Sequence, residues 1–383
     1  MATPHPSLRA DLETLDPALL ARLSAAGFDR ARFFELAATL TEGDAATRRR
    51  TRNTVKGEVS APQADEVMKL PPEGTPAHAR LKARGEAAMK NGELAFCTMA
   101  GGMATRMGGI VKALAEVWEG NTFLSLRLAE NRAVSTHAGR PVPLWLMTSE
   151  ATHAPIVDAL KQAKAPPHVA CFMQNLSLRL TPDGQLFRED DKEPSVHATG
   201  HGDLVDALRR SGLLDPFVAA GGKAVWIVNL DNLGAAVDPV LLGHFLESQA
   251  DVQCEVTGKA GDKGGIPVRA EGKLQVLEEF RLPAGFDPTT VPVFNTNTFL
   301  VRAAPLASQA LSWTYFEVEK KVDGRPAVQF ERLLQEITAQ MPTIYVEVPR
   351  DGAASRFLPV KDFDELALRR ANIELVARAR GMV

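Results

Sequence analysis

The chain reads as an α/β protein: a mixed, mostly parallel sheet with helices on both faces, a small helical N-terminal region and a short C-terminal tail. Three observations predict this. From Leu94 onward, short apolar runs alternate with helical patterns, the order that builds parallel sheets through crossover helices. Several runs end in a turn rich in Gly, Asn or Asp, where such sheets bind ligands at the carboxyl ends of their strands. The composition, 45% hydrophobic and 24% charged over 383 residues, supplies one large core plus an appendage.

Three units are expected: a helical region over 1–92, an α/β core over 93–350, and a loop and helix over 351–383. In the first, Leu19, Leu20, Leu23 and Phe28, then Phe33, Phe34 and Leu40, recur at helical spacing. Gly43 to Pro76 mixes basic residues with Pro and Gly and reads as a surface loop. A helix from His78 to Lys90 stops at Asn91-Gly92. In the core, strands are expected at Leu94–Met99, Leu144–Thr148, His168–Met173, Ala224–Asn229 and Val252–Val256. Helices are expected at Thr122–Thr136, His153–Gln162, Gly202–Arg210 and Pro239–Gln249. A hairpin turning at Glu271-Gly272, a strand over Val293–Val301, a helix over Gln329–Gln340 and a strand over Thr343–Val348 complete it. There is no internal repeat.

A net charge of −3 gives no global attraction to nucleic acid or an acidic membrane, so any polyanion must be held by a local cluster of cations. Cys97, Cys171 and Cys254 are widely spaced, odd in number and set in apolar runs, which reads as reduced core cysteines of a cytoplasmic protein. The N-terminus lacks an apolar signal core and no stretch approaches ~18 uninterrupted apolar residues, so neither export nor a membrane span is expected.

The run Ala100-Gly101-Gly102-Met103-Ala104-Thr105-Arg106-Met107-Gly108-Gly109 follows the first core strand, with Lys112 just beyond. Glycines there let backbone N–H groups approach a phosphate chain, and Arg106 and Lys112 add charge for the same anion. A tight strand-to-helix turn with surface cations is the plain alternative. A P-loop is excluded because Lys112 follows Val111, and no window supplies Gly-x-Gly-x-x-Gly. Further along stand Gly200-His201-Gly202-Asp203, then Asn229-Leu230-Asp231-Asn232-Leu233-Gly234-Ala235, and finally Ser355-Arg356-Phe357-Leu358-Pro359-Val360-Lys361. Taken singly each has an ordinary explanation. A lone His is usually a surface or satisfied core residue, an Asx turn or N-cap accounts for Asn232, and lysines are mostly solvated.

In their order and spacing these segments resemble the UDP-sugar pyrophosphorylase family. The glycine run is similar to that family's nucleotidyltransferase loop, although Ala104 stands for the third glycine, Val111 for a proline, and the spacing to Lys112 is one residue short. Thr122-Phe123-Leu124, Glu255-Val256-Thr257, Lys263-Gly264-Gly265, Leu277-Glu278, Phe294-Asn295-Thr296-Asn297 and Val328-Gln329-Phe330-Glu331 extend the likeness, and Ser355–Lys361 reproduces the glucose-type segment without change. The resemblance spans about residues 94–365 and implies a Rossmann-like nucleotidyltransferase sheet.

It further implies a reaction of UTP with a sugar 1-phosphate, glucose 1-phosphate above others, to give UDP-glucose and pyrophosphate. Arg106 and Lys112 are expected at the triphosphate, Lys361 between the attacking phosphate and the α-phosphate, and Asp231 as the Mg²⁺ ligand. Gly101, Gly102, Met147, Gln174 and Gly200 are expected at the nucleotide, Gln174 because its amide can both donate to and accept from a pyrimidine edge. His201, Asn229, Gly265, Glu278, Asn295 and Asn297 are expected at the sugar phosphate, with free amides after Gly200 aiding His201. Only Pro4-His5-Pro6 approaches the His-Pro-His nucleophile of the exchange enzyme that makes UDP-galactose, in the wrong order and place, so direct displacement is expected. Another sugar, such as N-acetylglucosamine 1-phosphate, and a non-catalytic UDP-sugar sensor are the rival readings. With little chain after Lys361, the C-terminal β-helical domain of the glucose-type enzymes is expected to be absent or reduced to a helix, which leaves the oligomeric state open.

Overall fold

The computed structural model describes residues 5–104, 108–190 and 192–383. Its central sheet has eight strands: β1 (Val67–Lys69), β2 (Leu94–Met99), β3 (Leu144–Thr148), β4 (Val169–Met173), β5 (Ala224–Asn229), β6 (Val252–Gly258), β7 (Val293–Arg302) and β8 (Thr343–Glu347). Their spatial order is β1-β8-β6-β7-β5-β2-β3-β4. Strand β7 alone runs against its neighbours β5 and β6, and every other pairing in the sheet is parallel. The carboxyl ends of the other seven strands therefore share one edge, and the N-terminal end of β7 arrives there from the opposite direction.

Both faces of the sheet are apolar, as a sheet covered on two sides requires. Phe96, Trp226 and Leu300 point to one face, beneath the helices Pro76–Lys90, Phe123–Ala138, Pro239–Glu247 and Phe363–Ala379. Cys97, Val225, Phe299 and Tyr345 point to the other, beneath Leu204–Arg210 and Leu214–Ala219. Helices Pro76–Lys90 and Pro239–Glu247 cross through glycines. A Cβ on Gly85 would lie 1.9 Å from the Pro239 carbonyl oxygen, and one on Gly243 1.9 Å from that of Leu81. No side chain fits either position.

The structure corrects three expectations. Residues 43–76 are not simply a loop. Asp44 caps a helix, Ala45–Asn53, by accepting from the Thr47 N–H at 2.9 Å. The run of arginines in that helix disguised it, yet Arg48 is buried, paired with Glu317 at 2.8 Å. Second, the stretch Gln329–Gln340 is not an α-helix. Arg325–Glu331 is a strand hairpinned to Phe316–Val322, and Leu334–Ala339 is 3-10. The signal was the Asp323-Gly324 pair, both residues at positive φ (49° and 76°), which is the chemistry of a two-residue hairpin turn. Third, β1 and helix Pro76–Lys90 belong to the α/β core rather than to the N-terminal helical region. The N-terminal helices Pro6–Glu13, Pro17–Ala25 and Arg30–Thr39 instead bury Leu8, Leu12, Leu23 and Phe33 against Leu178, Val328 and Phe330 in a separate apolar cluster. Among the described residues no helix is long and apolar enough to cross a membrane.

Candidate active site

The loop after β2 turns back on itself. The Ala100 N–H donates to the Met147 carbonyl at 2.7 Å, and the Lys112 N–H to that of Gly102 at 3.2 Å. Met103–Ala104 pairs antiparallel with Ile110–Val111, so the strand does not pass directly into a helix. Gly101 lets the Gln174 amide lie against the loop, since a Cβ there would be 2.5 Å from the Gln174 Oε1. Arg106 lies outside the described residues.

Lys112 reaches across to the loop after β5, where its Nζ meets Asp231 Oδ2 at 2.6 Å. Buried Arg127 holds that loop, donating to the carbonyls of Asn229 (3.3 Å), Leu230 (3.2 Å), Asn232 and Ala235 (3.3 Å), while Glu130 neutralises it at 2.6 Å. Asn232 does not cap a helix. Its Oδ1 accepts from the Leu358 N–H at 2.8 Å and its Nδ2 donates to the Arg356 carbonyl at 3.1 Å. Gly234 lets the two segments touch, since a Cβ would lie 2.8 Å from the Arg356 carbonyl carbon. Arg356 in turn forms a two-toothed ion pair with Glu255 on β6, at 2.6 and 2.8 Å, with both residues buried. This clamp lays the 355–361 segment on the Asp231 loop, and the Val360 N–H points to Asp231 Oδ2 at 3.4 Å. Lys361 follows, exposed, with its own N–H donating to Glu365 Oε2 at 2.8 Å.

On the far side of the cavity Gln174 donates to the Gly200 carbonyl at 3.0 Å. Gly200 sits at φ 90°, where a Cβ would lie 2.5 Å from the Arg332 carbonyl oxygen. Arg332 fixes this turn through Asp203 (2.6 Å) and Asp206 (2.5 Å). His201 Nδ1 accepts from the Leu334 N–H at 3.0 Å, so its remaining proton is on Nε2. Burial lowers its pKa to about 4, making it a neutral donor at pH 7 and not a cation. Two of the amides expected to assist it are spent. Gly202 N–H donates to the Arg332 carbonyl (3.0 Å) and Asp203 N–H to that of Gly200 (3.2 Å).

Gly101, Gly102, Lys112, Met147, Gln174, His201, Asn229 and Asp231 line one cavity of about 270 Å³ at the carboxyl edge. Gly265, Glu278, Asn295 and Asn297 connect to it through Asn229. The pairing of β6 with β7 slips beside Glu255, and Asn297 occupies the bulge at φ 58°. There its Nδ2 donates to Asn229 Oδ1 at 3.1 Å, and its N–H to Asn295 Oδ1 at 2.9 Å. Asn295 N–H donates to the Gly265 carbonyl at 2.8 Å, and a Cβ on Gly265 would lie 3.2 Å from Glu278 Oε1. Burial raises the pKa of Glu278, whose Oε1 accepts from Gln335 at 2.5 Å. A larger hollow, about 620 Å³, opens near Lys259 and Arg350 and includes none of these residues.

Among the described residues no cluster of three or more His, Cys, Asp or Glu could hold a metal by itself. Asp231 nevertheless fits Mg²⁺, which takes one or two carboxylates and completes its shell with phosphate oxygens and water. Both bonds it receives, from Lys112 and Val360, fall on Oδ2.

Fold and cavity place the chain in a class: α/β proteins that hold a ligand at the carboxyl edge of a mixed sheet. It belongs to the UTP--glucose-1-phosphate uridylyltransferase family, whose profile matches residues 46–380. The enzyme of that name from Hordeum vulgare is 31% identical over 300 residues, 73% of this chain and 62% of the relative. That from Solanum tuberosum is 32% identical over 298 residues, again 73% and 62%. The chain thus spans 62% of the length of these two relatives. Among solved structures it shares its fold with UDP-glucose phosphorylase from Trypanosoma brucei (TM-score 0.73, 22% identity, 92% of this chain and 77% of that one). It also shares it with a variant of UDP-glucose pyrophosphorylase from Leishmania major (TM-score 0.70, 22% identity, 95% and 79%).

Proposed function

We propose that the chain joins UTP to glucose 1-phosphate, giving UDP-glucose and pyrophosphate by one in-line displacement. An oxygen of the sugar phosphate attacks the α-phosphorus of UTP, and the bond from that phosphorus to the bridging oxygen of pyrophosphate breaks. The observation that carries this reading is the meeting of Lys112, Asp231 and the Val360 amide at one carboxylate oxygen, which brings distant segments of the chain to one cavity.

The protein's work is positioning and charge stabilisation, because phosphoryl transfer asks little covalent chemistry of it. Lys112 neutralises the triphosphate and the departing pyrophosphate, and Arg106 is assigned to the same charge. Lys361, held at the start of the last helix, serves the attacking phosphate and the α-phosphate. Asp231 would hold Mg²⁺, which would supply positive charge to offset the negative charge of the phosphates. Gln174 and Met147 face the base, His201 offers Nε2–H to the sugar phosphate, and Asn297, Asn295 and Glu278 meet the sugar hydroxyls. The three cysteines are free, which supports a cytoplasmic setting.

Pyrophosphate release with UTP, Mg²⁺ and a panel of sugar 1-phosphates tests the sugar assignment. Glucose 1-phosphate should exceed N-acetylglucosamine and galactose 1-phosphates by at least about tenfold in kcat/KM, the scale on which a pocket discriminates by a single group. Equal rates across the panel would refute glucose specificity, and tight UDP-glucose binding without turnover would make the chain a sensor.

A further inference from the structure

The last helix, Phe363–Ala379, buries Leu366, Ile373, Val376 and Ala377 in the core. Its outer side is unusually apolar. Leu368 is 83% exposed, the most of any large hydrophobic among the described residues, and Phe363 (52%) and Leu375 (47%) accompany it. Along this side Asp364, Leu368, Ala371, Leu375 and Arg378 are all exposed and alternate at steps of four and three, the spacing of a helix seam.

We propose that this face is self-complementary, and that a second copy of this chain docks on it with the two helices antiparallel about a two-fold axis at Ala371. In that arrangement the residues seven before and seven after Ala371 come level, and Leu368, three before it, lies within one residue's rise (~1.5 Å) of Leu375 of the partner subunit, four after it. Asp364 then faces Arg378 of the partner subunit, a guanidinium that in each copy also donates to Glu374 of its own helix at 2.6 Å, and both ends of the pair gain the same contact, as an isologous interface requires. Leu368 and Leu375 of the two copies pack between these charges, while the small Ala371 lets the axes approach to about 8 Å. Acidic Asp364 and Glu365 lie in the first turn and Arg378 in the last, so opposed helices also oppose their dipoles. The contact strip, ~25 Å by ~10 Å per copy, falls short of the ~800 Å² per partner of stable complexes, so the dimer is a weak one that dissociates on dilution.

Two measurements on the full chain test this. In sedimentation between about 1 and about 200 μM, the mass should rise from 41.4 kDa toward twice that value. Leu368→Glu with Leu375→Glu should leave a monomer throughout. Asp364→Arg or Arg378→Asp alone should weaken association about tenfold, and the two together should restore it. Because all these positions are exposed, an unchanged circular dichroism spectrum separates lost docking from lost folding. Under mild oxidation, Ala371→Cys should form a disulfide-linked dimer. Ala367→Cys should not, since its symmetry mate would lie ~12 Å along the axis, beyond disulfide reach; the unmodified chain controls for Cys171. A constant monomer mass, or equal cross-linking at 367 and 371, overturns the proposal and leaves the face to a different partner.

Discussion

Asp231→Asn should lower kcat by about 10²–10³-fold, the cost of removing one well-placed charge from a phosphoryl-transfer site. The change keeps the shape of the side chain and its place against the Val360 amide, so the clamp between the Asp231 loop and the 355–361 segment survives. What is lost is the formal charge that answers Lys112 and that would hold Mg²⁺. The rate should therefore recover only partly as Mg²⁺ is raised, whereas the urea midpoint should stay close to that of the parent, because the Lys112–Asp231 pair is partly exposed and such pairs contribute ~1 kcal/mol or less. A large loss of stability together with unchanged kcat would assign Asp231 to the fold.

Glu255→Gln should do the reverse. It leaves the Arg356 guanidinium buried without its counter-charge, and breaking a buried ion pair from one side costs about 3–5 kcal/mol. Arg356 belongs to the segment that delivers Lys361, so kcat should fall as well, but only as a consequence of a loosened segment. Denaturant melts of Glu255→Gln and Asp231→Asn, run beside their kcat values, separate the two roles. If Glu255→Gln melts like the parent, the clamp is not what holds the segment.

What could be read in the sequence was whatever repeats locally. The alternation of apolar runs and helical patterns placed β2 to β8, and the ordered motifs marked the ends of β2 and β5, because backbone period and turn chemistry are written within a few residues. Contacts that join distant positions were not legible. Arg127 looks like an ordinary helical arginine until its four carbonyl partners, about a hundred residues away, fold around it. Asn232 passes for a capping residue, although its partners Arg356 and Leu358 lie at the other end of the chain. The same holds for Arg48 with Glu317 and Arg332 with Asp203. Asp323-Gly324 is different, a local hairpin signal outweighed by the apolar spacing that followed it.

Lys361, delivered by the 355–361 segment, is proposed to work on the same phosphates as Lys112 and Asp231. Pyrophosphate release from UTP and glucose 1-phosphate in the presence of Mg²⁺, compared between the parent chain and Lys361→Ala, tests it most directly. A fall of about 10²-fold or more in kcat with an unchanged melting curve is expected; equal turnover in the two proteins would remove Lys361 from the site.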